Sequence, residues 1–506
     1  MHLTEPEHNG KCVRTKQSAL RTIIINNQCI RPFVPFLLSV SLLLACTAAS
    51  AAHTYTIAID DDYETMTVEA RFDRSIDDIS ARSRNADRYL RDATDCDRDE
   101  KLESRSRKLV LPAGGIRCLR YTVDLGRAAR ADRFASILGD SSVVVSPTLW
   151  MWRPLLLSRD EILATFMLAS GGQVFVPWQM MNEEGTYYRL KASPQSGSAV
   201  SVFGSFQQSI EQVAGADLRV VMLETSDKTD LQALIPWVRA TAENVATTYG
   251  RFPNPNANIL LIPTAGQAWR RDSAVSFGRL VRDGGETIEL MINQNRPIGD
   301  FYKEWTPTHE FSHLMLPYVD QEQRWISEGF AQYYQNVLLA RAKQQSAEYS
   351  WQKIYDGLER GRESAPGMSP NDAAAGSMRN TRMKVYWSGA SIALMADVEL
   401  RRRSNGKESL DTVLGLLQQC CLPSASSWSG KELFGKLDQL LDQPLFLDLY
   451  RQYADADGFP DARPLLARLG VSLRDGQVEI DPTAELSDIR HAITYYSMTY
   501  QDTETH

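Results

Sequence analysis

Apolar and polar positions change their period part-way along this chain. From His53 to about Gly215, short stretches alternate: Thr54-Tyr55-Thr56-Ile57-Ala58-Ile59, Met66-Thr67-Val68-Glu69-Ala70, Gln173-Val174-Phe175-Val176 and Ala199-Val200-Ser201-Val202-Phe203. A period of two, broken by turn residues, predicts strands and here a β-sandwich-like domain over 53–215. From Leu218 the apolar runs become continuous and then helical in spacing. Residues 220–223 and 259–262 predict strands, 231–249 a helix, and Asp283-Gly284-Gly285 the turn of a hairpin whose second strand is 288–292. Helices are predicted over 325–343, 348–360, 385–403 and 410–419, the last opening a mainly helical part that runs to about 470, before a short tail at 471–506. Residues 364–380, rich in Gly, Pro, Ser and Ala, predict a mobile loop, and the Arg- and Asp-dense stretch 84–107 an exposed excursion. The fold class expected is α+β.

Chemistry concentrates between the hairpin and the first of those helices. His309-Glu310-Phe311-Ser312-His313 places two imidazoles four residues apart, which on a helix share one face and can bind one metal ion. Glu310 lies one residue along, where its carboxylate reaches a water on that metal. Glu328, fifteen residues after His313 in Trp325-Ile326-Ser327-Glu328-Gly329-Phe330, is the candidate third ligand. Two His and one Glu leave a fourth tetrahedral position open, the pattern of a catalytic zinc. Beyond residue 52 the chain keeps only His53, His309, His313, His491 and His506, so two of five histidines stand at ligand spacing. Each ligating imidazole needs an acceptor for its other N–H, and Gln332 and Asp397 are candidates.

These motifs resemble the gluzincin metallopeptidases, and among them the aminopeptidase N and glycyl aminopeptidase families. The resemblance covers about residues 218–469 and includes Val385-Tyr386-Trp387-Ser388-Gly389-Ala390 and Leu394-Met395-Ala396-Asp397-Val398-Glu399-Leu400-Arg401. It implies a thermolysin-like catalytic domain over 216–344 with the helical part at 345–470, one Zn²⁺ per chain on His309, His313 and Glu328, Glu310 as general base and then acid, and Tyr386 as the phenol that binds the oxyanion. Ser388 stands where those families carry lysine, and the loop between His313 and Glu328 is shorter than theirs. The glycine-rich edge strand that binds substrate corresponds to Ser276-Phe277-Gly278-Arg279-Leu280-Val281, making Phe277 and Gly278 candidate substrate-binding residues. That stretch lacks the glutamate that holds a substrate α-amine, and alternation alone leaves open whether Glu286 or Glu289 faces the cleft. The implied function is a zinc metallopeptidase acting on a peptide or protein, with aminopeptidase and endopeptidase specificity both open. The alternative is a catalytically inactive zinc-containing peptide-binding or scaffold protein. After Leu469 too few residues remain for the PDZ module that often follows in glycyl aminopeptidases, so none is expected.

Residues 1–52 read as an export signal: Arg21 and Arg31 precede an apolar run over 33–45, and Ala49-Ser50-Ala51-Ala52 offers small residues for cleavage. A periplasmic or secreted protein is expected, with a lipoprotein anchored at Cys46 as the alternative. Past this leader, Cys96 and Cys118 are spaced to pair in an oxidising compartment, whereas Cys420 and Cys421 are adjacent, with α-carbons closer than a disulfide usually spans. Net charge is −8 overall; the leader's five basic and two acidic residues leave −11 for the remainder. That sign argues against nucleic acid as a partner.

Overall fold

The computed structural model describes residues 51–138, 142–168, 171–194, 196–223, 230–264 and 272–495. The expected leader, apart from Ala51 and Ala52, and Cys46 with it, lies outside them. Ala51 already pairs with Asp160 in the first strand, Ala51–Ile59. Among the described residues no helix is long and apolar enough to cross a membrane.

The N-terminal region is two sheets, of eight and four strands, closed over a shared core. Alternation in Thr65–Ile76 buries Met66, Val68 and Ala70 while their neighbours face outward. Val143, Val145, Val174 and Phe203 of the smaller sheet pack into the same core as Tyr55, Ile57 and Trp150. The charged stretch 84–107 departs from the expected solvated excursion. Strands Ala93–Asp95 and Glu100–Leu102 extend the large sheet, Ala86, Tyr89 and Ala93 are buried, and Cys96 is joined to Cys118. Its Arg and Asp residues obscured short apolar anchors between them.

The region that follows is built on a five-stranded sheet. Its strands are β1 (Phe206–Val213), β2 (Ala216–Leu223), β3 (Asn256–Pro263), β4 (Val275–Arg282) and β5 (Glu286–Ile292), in spatial order β1-β2-β3-β5-β4. The sheet thus begins ahead of Gly215, because β1 and β2 form one hairpin. β2, β3 and β5 run parallel, and β4 is an antiparallel edge strand. Helix α1 (Leu231–Ala246) and the helices that follow cover one face, sharing a single large apolar core with it. These are α2 (Thr306–Ser312), α3 (Trp325–Arg341), α4 (Ala347–Glu363), α5 (Met378–Ser404) and α6 (Leu410–Cys421).

Residues 364–380 are not a mobile loop. Ser369 caps a short helix, Pro370–Ala375, whose Ala373 and Ala374 are buried and whose last carbonyls accept from Arg324. Cys420 and Cys421 are joined despite an α-carbon separation of 3.7 Å. The tail is folded to residue 495: strands Val471–Arg474 and Gln477–Ile480 precede helix Ser487–Thr494, whose Ile493 carbonyl accepts from Arg341.

A candidate metal centre and its cleft

α2 is only seven residues long, with Pro307 in its first turn, where a missing N–H costs nothing. It presents His309 and Glu310, then tightens into a 3₁₀ turn, His313–Met315. The tightening still leaves the two imidazoles side by side, ring centroids 4.9 Å apart and nearly perpendicular. Arg282 secures the turn from the end of β4 by donating to the carbonyls of His313 and Leu316 at 3.0 and 2.9 Å. Glu328 enters from the first turn of α3, its Oε2 lying 3.3 Å from His309 Nε2 and 3.7 Å from His313 Nε2. One donor atom from each of the three residues lies within 4.8 Å of the others, the one such group among the described residues.

α3 and α5 cross with almost no side chain between them. A Cβ on Gly329 would stand 2.5 Å from Ala390 N, and one on Gly389 2.8 Å from the Gly329 Cα, with the Trp325 carbonyl nearer still. The crossing brings Tyr386 of α5 over the site. Its ring stacks on His309 at 5.6 Å and 12°, and its phenol is hydrogen-bonded to Glu328. Trp305, just before α2, meets His309 edge-on at 5.9 Å. Trp387 fills a slot on α4 left by Gly357 and Gly361. Ser388 is buried with its hydroxyl unpaired, and Lys384 one turn earlier is buried with Nζ over the Phe459 ring at 5.7 Å.

Electrostatics separate the carboxylates. Burial pushes Glu310 up to about 7, the Glu328 charge adds to this, and His309 and the Leu280 N–H oppose it. Burial also acts to raise Glu328, but the His309 hydrogen bond and the charge of His313 bring it down to about 2. His313 is lowered to about 3, chiefly by burial, so it is a neutral imidazole with a lone pair to give. His309 is raised: burial is outweighed by its hydrogen bond to Glu328. Tyr386 is raised by burial and by the neighbouring carboxylates, keeping its proton available to donate.

The donor set fits zinc: two imidazoles and one carboxylate, with Glu310 beside them and not among them. His309 has a candidate acceptor in Gln335. Its Nδ1 is buried and otherwise unpaired, as is Gln335 Oε1, and Gln335 interacts with His309. Gln332 is not among the groups acting on His309, and Asp397 is occupied by Tyr333, Arg401 and the Leu410 N–H. Gln335, two turns beyond Glu328, was legible in the periodicity of α3 but not distinguishable there from Gln332.

Gly278 lies against the base. A Cβ there would be 2.6 Å from Glu310 Cγ and 2.9 Å from Thr306 Cγ2, so only glycine lets β4 pass this close. Phe277 alternates to the opposite face, exposed beside its cross-strand partner Met291. Glu289 is on that same face, buried against Arg279 at 2.6 Å, and Glu286 pairs with Arg282 at 2.7 Å.

The sequence pattern of the M61 glycyl aminopeptidases matches residues 317–393, a span that begins after His313 and includes Glu328 and Tyr386. No curated protein matches the chain by sequence. Among solved structures, an aminopeptidase N family protein from Idiomarina loihiensis superposes with a TM-score of 0.61 at 14% identity, over 83% of this chain and 79% of its own. The M1 zinc metallopeptidase from Deinococcus radiodurans superposes with a TM-score of 0.50 at 11% identity, over 81% and 94% respectively. The chain thus has the fold of the aminopeptidase N proteins, and across the third candidate ligand and the phenol its sequence is similar to that of the M61 glycyl aminopeptidases.

Proposed function

We propose that this protein hydrolyses peptide bonds, with one Zn²⁺ held by His309, His313 and Glu328. The observation that carries the reading is geometric: His309, His313 and Glu328 each present a donor atom within 4.8 Å of the others, with Glu310 beside them and not among them. Zinc on such a donor set supplies Lewis acidity and a water whose pKa falls to about 7. Glu310 takes the water's proton as it attacks the scissile carbonyl and returns it to the departing amine. The Tyr386 phenol, aimed across Glu328, donates to the oxyanion that develops. Gln335 holds His309 in the tautomer that leaves Nε2 free. Gly278 lets an extended peptide lie on β4 within reach of Glu310, whereas the side chain of Phe277 points away from it.

An exported location is part of this proposal, supported by the Cys96–Cys118 pairing. The test is metal analysis of the full chain with cleavage mapping on a mixed peptide library. One zinc per chain and cuts that vanish in Glu310→Gln are expected. Zinc without cuts would favour a binding protein, and no zinc would overturn the reading.

A further inference from the structure

The edge strand is open at one end and closed at the other. The closed end is the hairpin tip, which the N-terminal domain covers. Ser196 N donates to the Arg282 carbonyl at 3.1 Å, Arg282 N donates to Ser196 Oγ at 2.8 Å, and Gly284 N donates to Ser193 Oγ at 2.6 Å. Three residues earlier on β4, Arg279 donates to the Ser198 carbonyl at 3.1 Å. Residues 196–198 therefore form a strap across β4 beyond Gly278. Three residues, Arg279, Leu280 and Val281, lie between Gly278 and Arg282, which are about 13 Å apart along the strand. A peptide added to β4 has room there for two or three residues.

Direction follows from pairing. An added strand antiparallel to β4 makes the slightly stronger ladder and puts its N-terminus at the closed end. What meets that terminus is not acidic. Every described carboxylate there is already matched by a guanidinium: Glu289 by Arg279, Glu286 by Arg282 and Asp283 by Arg82. Asp272 and Glu304 belong to the opposite end, where Glu304 accepts from the Ala274 N–H. Residues 265–271, which precede β4 in sequence, are Ala-Gly-Gln-Ala-Trp-Arg-Arg and include no acid.

We infer that the strap, and not recognition of an α-amine, sets the cleavage position, so that peptides with an acylated N-terminus are substrates on the same footing as free ones. This rests on the peptidase reading above and adds the class of chain end accepted. The products are short: an acylated or free fragment of two or three residues and the remainder of the peptide with a new free amine.

The experiment is a ladder of peptides sharing one cleavable sequence, with one to six residues ahead of it, each made with a free and an acetylated N-terminus. Products are read by mass spectrometry with the zinc-loaded full chain, and Glu310→Gln is the control. Cuts two or three residues from the N-terminus are expected, with acetylation changing kcat/KM by less than about threefold. Loss of a charge-assisted anchor would instead cost roughly ten- to a hundredfold. Acetyl-sensitive cleavage, cuts near the C-terminus, or cuts whose position ignores the chain end would each overturn the inference while leaving the peptidase reading intact. No Glu310-dependent cuts in either series would overturn both. The double variant Arg279→Met/Glu289→Met frees Ser198 without stranding a buried charge. If it folds, its cuts should reach further into the chain; unchanged positions would count against the strap, and a variant that fails to fold leaves the decision with the wild-type ladder.

Discussion

Replacing Gly389 with alanine asks whether the third metal ligand and the phenol are kept in register by the crossing of α3 and α5. The added Cβ would stand 2.8 Å from the Gly329 Cα and 3.0 Å from the Trp325 carbonyl carbon, where ordinary contact begins at 3.4 Å. These obstacles and the Trp325 carbonyl oxygen, which is nearer still, are all backbone, so no rotamer change relieves them, and the helices must part by about 1 Å or more. Overpacking of this kind costs about 1–3 kcal/mol of stability. Glu328 adjoins Gly329, and Tyr386 is three residues before Gly389, so the displacement falls between ligand and phenol. Since a misplacement of about 1 Å can cost roughly a hundredfold in rate, a fall in kcat of roughly ten- to a hundredfold is expected. Zinc affinity, read by chelator competition, should fall with it, while circular dichroism stays native. Gly435→Ala is the control: its Cβ would meet Leu447 at an ordinary 3.6 Å, and alanine there should be neutral or slightly stabilising. A folded Gly389→Ala protein with wild-type kcat and zinc affinity would refute the reasoning.

Glu310→Gln should keep its zinc and lose roughly 10²–10⁴-fold in kcat, checked by metal content and steady-state kinetics on the same sample. Tyr386→Phe should lower kcat by a barrier of about 3 kcal/mol with little change in KM, read from kcat and KM separately. Gln335→Leu, which removes the acceptor for His309 Nδ1, should weaken zinc binding by about 10–100-fold, measured against a fluorescent chelator. In the metal-free protein, Glu328 is depressed from 4.5 to about 2. Its stabilisation is therefore fully present above pH 4.5 and is lost as pH falls towards 2. The melting temperature of metal-free protein should decline over that window, and Glu328→Gln should flatten the decline.

The metal site was legible because its residues are close in sequence and helical spacing converts directly into a shared face. His309, Glu310 and His313 needed only that, and Glu328 the start of the next apolar helix. Tyr386 was reachable only through resemblance, since among nineteen tyrosines nothing local marks it. Orientation across strands was not legible. Phe277 and Gly278 are neighbours, yet one packs on the base and the other faces away, and which is which depends on the sheet face α2 covers. The partners of Glu286 and Glu289 required register as well, because Arg282 and Arg279 become their neighbours only once β4 and β5 are paired. In 84–107, charge density masked Ala86, Tyr89 and Ala93, which pack because Cys96 and the strand pairing draw them onto the sheet.

Arg219 gives the two regions a common fate. It projects from β2 of the catalytic sheet, is nearly buried, and donates to Tyr188 Oη and the Val174 carbonyl of the N-terminal sheets, both at 2.8 Å. Separating the regions would break both bonds and leave the guanidinium, of its hydrogen-bond partners, only Gln208 Oε1 on β1 of its own sheet. The five-stranded sheet and its helices are therefore not a portable unit. They should unfold with the N-terminal sheets in one transition.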